Sequence, residues 1–229
     1  MGIKISIKSM GMSFYIPIIF NCLLIPLIVF FVARTGNKYN IAFAVNVLTQ
    51  MFTPFFGSFI VCMHMSKYID TKGNEIYFVL NKNKSHEIMK LFLVYIMTNT
   101  CWFSAYMLLD RSFGLEWLHI IIVTFLFVSA TYCFCFLFRS VSLASIPGFL
   151  YTIYSVVGLK YLGKKFSYYE QTGMEAEKLS SKYVYFIIAA IVLMSIGNAL
   201  NDSYDKYNEW LSGGFMMPQT SGHPDFIFD

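Results

Sequence analysis

The stretch from Met12 to Ala33, MSFYIPIIFNCLLIPLIVFFVA, runs for 22 residues without a charged side chain. At 1.5 Å of rise per residue, about 20 mostly apolar residues cross the hydrocarbon core of a bilayer as a helix. Lys4 and Lys8 precede the stretch and Arg34 follows it. A basic flank before an apolar run also opens a secretory signal, but the apolar part of a signal covers only about 7–15 residues and ends at a small-x-small site. This run is longer and meets Arg34 without such a site, so it reads as a retained first span.

Outward from it the same pattern recurs. Apolar stretches at 13–33, 41–65, 87–109, 117–138, 142–162 and 183–200 predict an all-α, polytopic membrane protein with six transmembrane helices. Composition agrees. Hydrophobic residues make up 57% of the 229 positions and charged residues 13%, against about 25% charged in soluble domains. The mean hydropathy is +0.57. There are 24 Phe and 16 Tyr, many of them near the ends of apolar stretches, and Tyr favours headgroup depth because its ring is apolar at one end and polar at the other. Pro17, Pro26, Pro54 and Pro147 fall in or near spans, where neighbouring groups can satisfy the carbonyls they free.

The connections are uneven. Residues 34–40 and 110–116 form tight polar turns, and Arg139-Ser140-Val141 is almost no connection at all. Longer loops occupy about 66–86 and 163–182. The expected domain division is a six-helix transmembrane unit over 1–201 and a polar C-terminal tail over 202–229, irregular beyond Trp210. An even number of spans puts both termini on one side. Lys and Arg are shared almost evenly between the sides, but five Lys between 66 and 90 favour that loop, and with it both termini, as cytoplasmic.

Several chemistries lack their residues. The net charge of +4 (pI ≈ 8.7) fits topology-setting Lys and Arg, and no basic stripe on a polar, foldable segment points to nucleic acid. Cys22, Cys62, Cys101, Cys133 and Cys135 all sit in apolar stretches and read as packing residues. His64, His86, His119 and His223 are scattered without metal-ligand spacing, so no metal site is expected. Intramembrane proteolysis would need paired carboxylates or a His-Glu-x-x-His motif inside the spans. The spans hold almost no Asp or Glu, with Asp110 and Glu116 placed at a turn, so an enzyme is not expected. Polar residues inside spans are functional candidates by default. Asn46, Thr49, Gln50 and Thr53 recur at steps of three and four and therefore share one helix face. They are candidates for lining a pathway or for ordinary hydrogen bonding between helices. Thr98, Asn99 and Thr100, with Ser195, Gly197 and Asn198, are expected in helix packing.

The most informative loop is Ser66–Lys90, SKYIDTKGNEIYFVLNKNKSHEIMK. Asp70 to Asn74 are turn formers, and Asn74 can cap a short helix opened by Glu75, whose carboxylate suits the positive end of the helix dipole. Ile76, Tyr77, Phe78, Val79 and Leu80 supply one or two apolar turns. Asn81 to Lys84 interrupt them before Ser85 and Glu87 start the third span. Such a helix can rest on lipid, or it can press into a partner protein.

This arrangement resembles the membrane subunits of type 2 ABC exporters, of the small bacterial peptide-export or immunity kind. They carry a cytoplasmic coupling helix in the same place: an acidic residue, a short apolar helix, a polar turn and a span opened by Lys. Here Glu75, Ile76 to Leu80, Asn81 to Ser85 and Glu87-Ile88-Met89-Lys90 match. Asn83 or Lys84 stands where the family pattern has Pro. The resemblance implies a permease that moves a peptide or another amphipathic substrate across the cell membrane. A separate ATPase subunit would bind ATP and Mg, since this chain has no Gly-x-x-x-x-Gly-Lys-Ser/Thr loop and needs no cofactor of its own. Implied partners are that ATPase and a second permease chain, identical or a sister, within the bilayer. Coupling would fall to Glu75, Tyr77, Phe78 and Leu80, with Lys82 and Lys84 as rim charges. Two other readings remain open: a non-transport assembly or immunity factor, and the substrate-capture subunit of a vitamin importer. The bulky first span disfavours the latter, because such subunits dock through small-residue faces.

Overall fold

The computed structural model describes residues 8, 10–34, 38–70, 84–109, 113–157, 167–169 and 176–214. Among them every regular element is helical. We label these α1 (Gly11 to Ala33), α2 (Lys38–Ile69), α3 (Lys84–Leu109), α4 (Phe113–Phe138), α5 (Val141–Val157) and α6 (Ala176–Gly214). Five of them contain segments long and apolar enough to cross a bilayer: Gly11–Val32, Ala44–Ile69, Lys84–Leu108, Phe113–Phe138 and Tyr183–Ser203. The molecule thus fits a multi-pass membrane protein. The span expected at 142–162 corresponds to α5, of which 17 residues are described, and residues 158–166 lie outside the description.

The first helix is not uniform. A 3₁₀ turn (Gly11–Phe14) and a short α segment (Tyr15–Ile19) lead into a π turn at Phe20–Leu24, followed by α-helix over Ile25–Ala33. Pro26 has no N–H and its ring clashes with the carbonyl four residues back. The wider π turn accommodates this, with the Ile25 N–H reaching Phe20 O five residues back. It leaves Asn21 fully buried against the bundle, while Ile16, Ile19, Leu23, Leu27, Phe30 and Phe31 face outward.

The bundle is built around α4, which packs on α2, α5 and α6. Small residues allow the close approaches, as expected where apolar lipid supplies no hydrophobic drive for helix association. A Cβ built on Gly57 of α2 would lie 2.6 Å from Thr124 Cγ2 of α4. One built on Gly197 of α6 would lie 2.6 Å from the Tyr132 ring and 3.3 Å from Cys133 Cα. Beside Gly197, Asn198 Oδ1 accepts a hydrogen bond from Tyr132 (3.0 Å), so these two show the expected packing role, whereas Ser195 is exposed and donates to Ile191 O (2.9 Å) of its own helix. At the α3–α4 turn, Trp117 stacks on Phe103 at 4.8 Å and donates its indole N–H to Thr100 Oγ1 at 3.1 Å. The α4–α5 junction is as short as expected. Arg139 adopts a left-handed conformation (φ 51°), and the chain re-enters helix at Val141.

Three boundaries differ from expectation. Helix α2 already starts at Lys38, within the turn expected at 34–40. Helix α4 starts at Phe113, so Glu116 belongs to its first turn and is buried, not held in a polar turn. Helix α6 continues through residue 201 and past Trp210 to Gly214, where a tail irregular beyond Trp210 was expected. The reason is local: between Asn201 and Ser212 there is neither Gly nor Pro, and Gly213-Gly214 is the first pair able to stop the helix. Of the five cysteines, Cys62, Cys133 and Cys135 are buried, Cys22 is half-buried, Cys101 faces outward, and all are free thiols.

Candidate functional site

Residues 71–83 lie outside the described residues, and with them Glu75, Tyr77, Phe78, Leu80 and Lys82. The helix ends that carry this loop are described. His64 and Tyr68 of α2 face Glu87 of α3, and all three are buried. His64 Nε2 lies 3.2 Å from Glu87 Oε2, and the Tyr68 hydroxyl donates to the same oxygen at 3.2 Å. Lys84 is not at an exposed rim. It opens α3, is fully buried, and holds its Nζ 5.7 Å from the centre of the Tyr68 ring, within cation–π range. The loop therefore stands on a charged, hydrogen-bonded clamp between two helices.

Among the α2 residues singled out as pathway candidates, Thr49, Gln50 and Thr53 are buried inside this chain. The Thr49 hydroxyl donates to Val45 O (2.6 Å), within α2. Gln50 Nε2 donates to Glu116 Oε2 of α4 at 3.3 Å, and His119 Nδ1 approaches the same carboxylate oxygen at 3.8 Å. Thr53 O accepts from the Tyr95 hydroxyl of α3 at 2.9 Å. Asn46 is half-buried, and its buried Oδ1 has no partner among the described residues. These contacts are hydrogen bonding between and within helices of one subunit. A second such network starts from Asn21, whose Nδ2 donates to the Tyr95 hydroxyl (2.7 Å) and to Asn99 Oδ1 (3.0 Å). Asn99 Oδ1 also accepts from the Trp102 indole at 3.1 Å.

The open surface of α2 lies on its other side. A groove of about 310 Å³ runs between α2 and α5, lined by Phe55, Ser58, Phe59, Cys62, Met63, Ser66 and Asp70 of α2 and by Val141, Ser142, Ser145, Gly148 and Phe149 of α5. Ser58, Cys62, Ser66 and Asp70 are spaced four apart and form one stripe that ends at the loop. Phe55 and Phe149 meet edge to face at 6.3 Å across it. The Ser66 hydroxyl donates to Met63 O (3.0 Å) and that of Ser145 to Ser142 O (2.8 Å). Ser58 Oγ is buried with no partner among the described residues.

At the opposite end of the bundle, Ser167, Tyr168 and Tyr169 form a buried segment outside the spans. Burial pushes both tyrosine hydroxyls above their ordinary pKa, so they stay protonated. Tyr168 O accepts from Tyr183 of α6 at 3.2 Å.

The residues that periodicity missed had readable signals. The stripe Ser58–Asp70 follows a strict four-residue step, and Asn21 is the one amide in an apolar run. The pairings His64–Glu87 and Glu116–Gln50 had none, because they join separate helices. No protein-family model, curated protein or solved structure matches this chain.

Proposed function

We propose that this chain is the membrane subunit of a type 2 ABC exporter. It would move an amphipathic substrate, such as a peptide, across the cell membrane while a separate subunit hydrolyses ATP with Mg. The observation that carries the reading is the junction of α2 and α3. A loop with an acidic, aromatic and apolar segment at Glu75–Leu80 leaves a base clamped by His64, Tyr68, Lys84 and Glu87. A clamped base transmits force, whereas a loosely hinged one would absorb it.

In this reading residues 74–85 form the coupling helix, docked on the ATPase through Glu75, Tyr77, Phe78 and Leu80, with Lys82 at the rim and Lys84 anchoring the base. Helix α5, extended toward residue 162, completes six spans. Both termini and the coupling loop face the cytoplasm. A second permease chain faces the α2–α5 side, so the pathway is lined by the Ser58–Asp70 stripe, while Gln50 and the Thr53 carbonyl tie α2 to α4 and α3 and Thr49 bonds within α2.

The test is co-expression with an ABC ATPase encoded beside this chain, followed by purification in mild detergent. Co-elution, together with ATPase activity that responds to the membrane subunit, is the expected result. The double substitution Tyr77→Ala and Phe78→Ala should abolish that response while leaving the purified membrane subunit intact. Unaltered coupling in the double variant would overturn the docking assignment, and no association with any ATPase would favour a non-transport assembly or immunity factor.

A further inference from the structure

We infer that the α2–α5 groove is a binding site for a linear amphipathic amine, its cationic head at Asp70 and its apolar body along the wall formed by Phe55, Phe59 and Phe149. The inference names the substrate class of the pathway proposed above and rests on that reading. The volume of about 310 Å³ falls at the lower end of small-ligand pockets, which run from about 300 to 1,000 Å³. The stripe from Ser58 to Asp70 covers twelve residues of helix, or about 18 Å at 1.5 Å each, the reach of one extended chain with a head group.

Chemistry selects the occupant. Among the described residues Asp70 is the one charged residue lining the groove, and it is exposed at the end of α2, so an anionic head is repelled there and a cationic one attracted. Ser58 is 6% exposed and its buried Oγ is unpartnered among the described residues, on the groove wall within the apolar span Ala44–Ile69. A buried hydroxyl without a partner costs about 1–3 kcal/mol, and a lipid acyl chain offers it nothing. A ligand carrying a polar group part-way along its length satisfies it once the hydroxyl rotates about χ1 toward the groove. The aromatic walls supply the apolar contact that holds the tail. The groove reaches Asp70 at the end of α2, so in the reading above its head-group end lies on the side on which an ATPase would dock.

The experiment uses the full chain, purified without any ATPase, in phosphatidylcholine nanodiscs. Photoreactive analogues of dodecylammonium and dodecyl sulfate are crosslinked in parallel, and the labelled residues are mapped by mass spectrometry. The ammonium probe should label residues 55–66 and 142–149 in preference to the sulfate probe. Asp70→Asn should reduce that preference about threefold to fivefold, the size of an exposed ion pair. Ser58→Leu should remove labelling by filling the groove. Ser145→Leu fills the same groove from an exposed position and should do likewise even if Ser58→Leu does not fold. Equal labelling by both probes, or labelling that survives Ser145→Leu, would overturn the site and reduce the groove to a lipid-filled cleft. Because the assay contains no ATPase, a failed permease reading leaves its result unaffected, and a failed binding site leaves the coupling test unaffected.

Discussion

Helix α2 carries polar residues on two faces, and the faces do different things. On the inner face Gln50, Thr53 and His64 each meet a partner helix, and Gly57 lets α4 approach closely. On the groove face Ser66 and Asp70 reach the space beside α5, and Ser58 is buried in the groove wall. Both sets repeat at helical spacing and neither is apolar. In a membrane, then, a polar stripe becomes glue or becomes a site according to whether another helix of the same chain covers it.

The largest effect that tests this contrast is expected at Gly57. Gly57→Leu drives a side chain into Thr124 and should cost 3 kcal/mol or more, at about the upper end for overpacking, seen as lost folded protein in an SDS-unfolding titration. Gly148→Ala is the control on the groove side. Its added Cβ meets the nearest atom, in Phe127, at an ordinary 3.6 Å, so stability should change by no more than about 0.5 kcal/mol. If the two variants unfold alike, the two faces are not distinct.

A smaller effect is expected at the loop base. His64→Leu leaves buried Glu87 without the imidazole, and such losses cost about 3 kcal/mol before other contacts compensate. Tyr68 still donates to the carboxylate, so roughly 1–2 kcal/mol should be measured in the same titration. Asn21→Leu, which severs α1 from Tyr95 and Asn99, should cost about 0.6–1.7 kcal/mol, the range for polar contacts between membrane helices. Smallest of all is Ser66→Ala, whose hydroxyl bonds its own helix at Met63 O. Its stability should stay within about 0.5 kcal/mol of the parent, and any change should appear in probe binding instead.

Much of the architecture was legible before any coordinates. Spans emerge from runs such as Met12–Ala33, because each helix satisfies its own backbone and needs only length and apolarity to enter a bilayer. The close Arg139 junction was equally plain. Helix ends were less so. Glu116 looked like a turn residue because carboxylates avoid the membrane, yet it lies buried in α4 where Gln50 and His119 reach it. The end of α6 was placed too early because polarity was read as irregularity, although polar residues without Gly or Pro continue a helix.

The candidate site divides the same way. Asn46, Thr49, Gln50 and Thr53 were correctly seen to share a face, since the 3.6-residue period alone decides that. Which neighbour that face meets is a property of how α2, α3 and α4 pack, and the packing turned Gln50 and Thr53 toward α3 and α4 and the Ser58–Asp70 stripe toward the α5 groove. By itself, then, the amino-acid sequence determined that this chain is helical, apolar enough to cross a bilayer several times, and marked by one polar loop between α2 and α3. Only the tertiary structure decided that His64 and Glu87 clamp the base of that loop and that the open polar groove lies beside α5. Period and hydropathy are local along the chain, whereas the identity of the neighbour that covers each face depends on residues far apart in sequence.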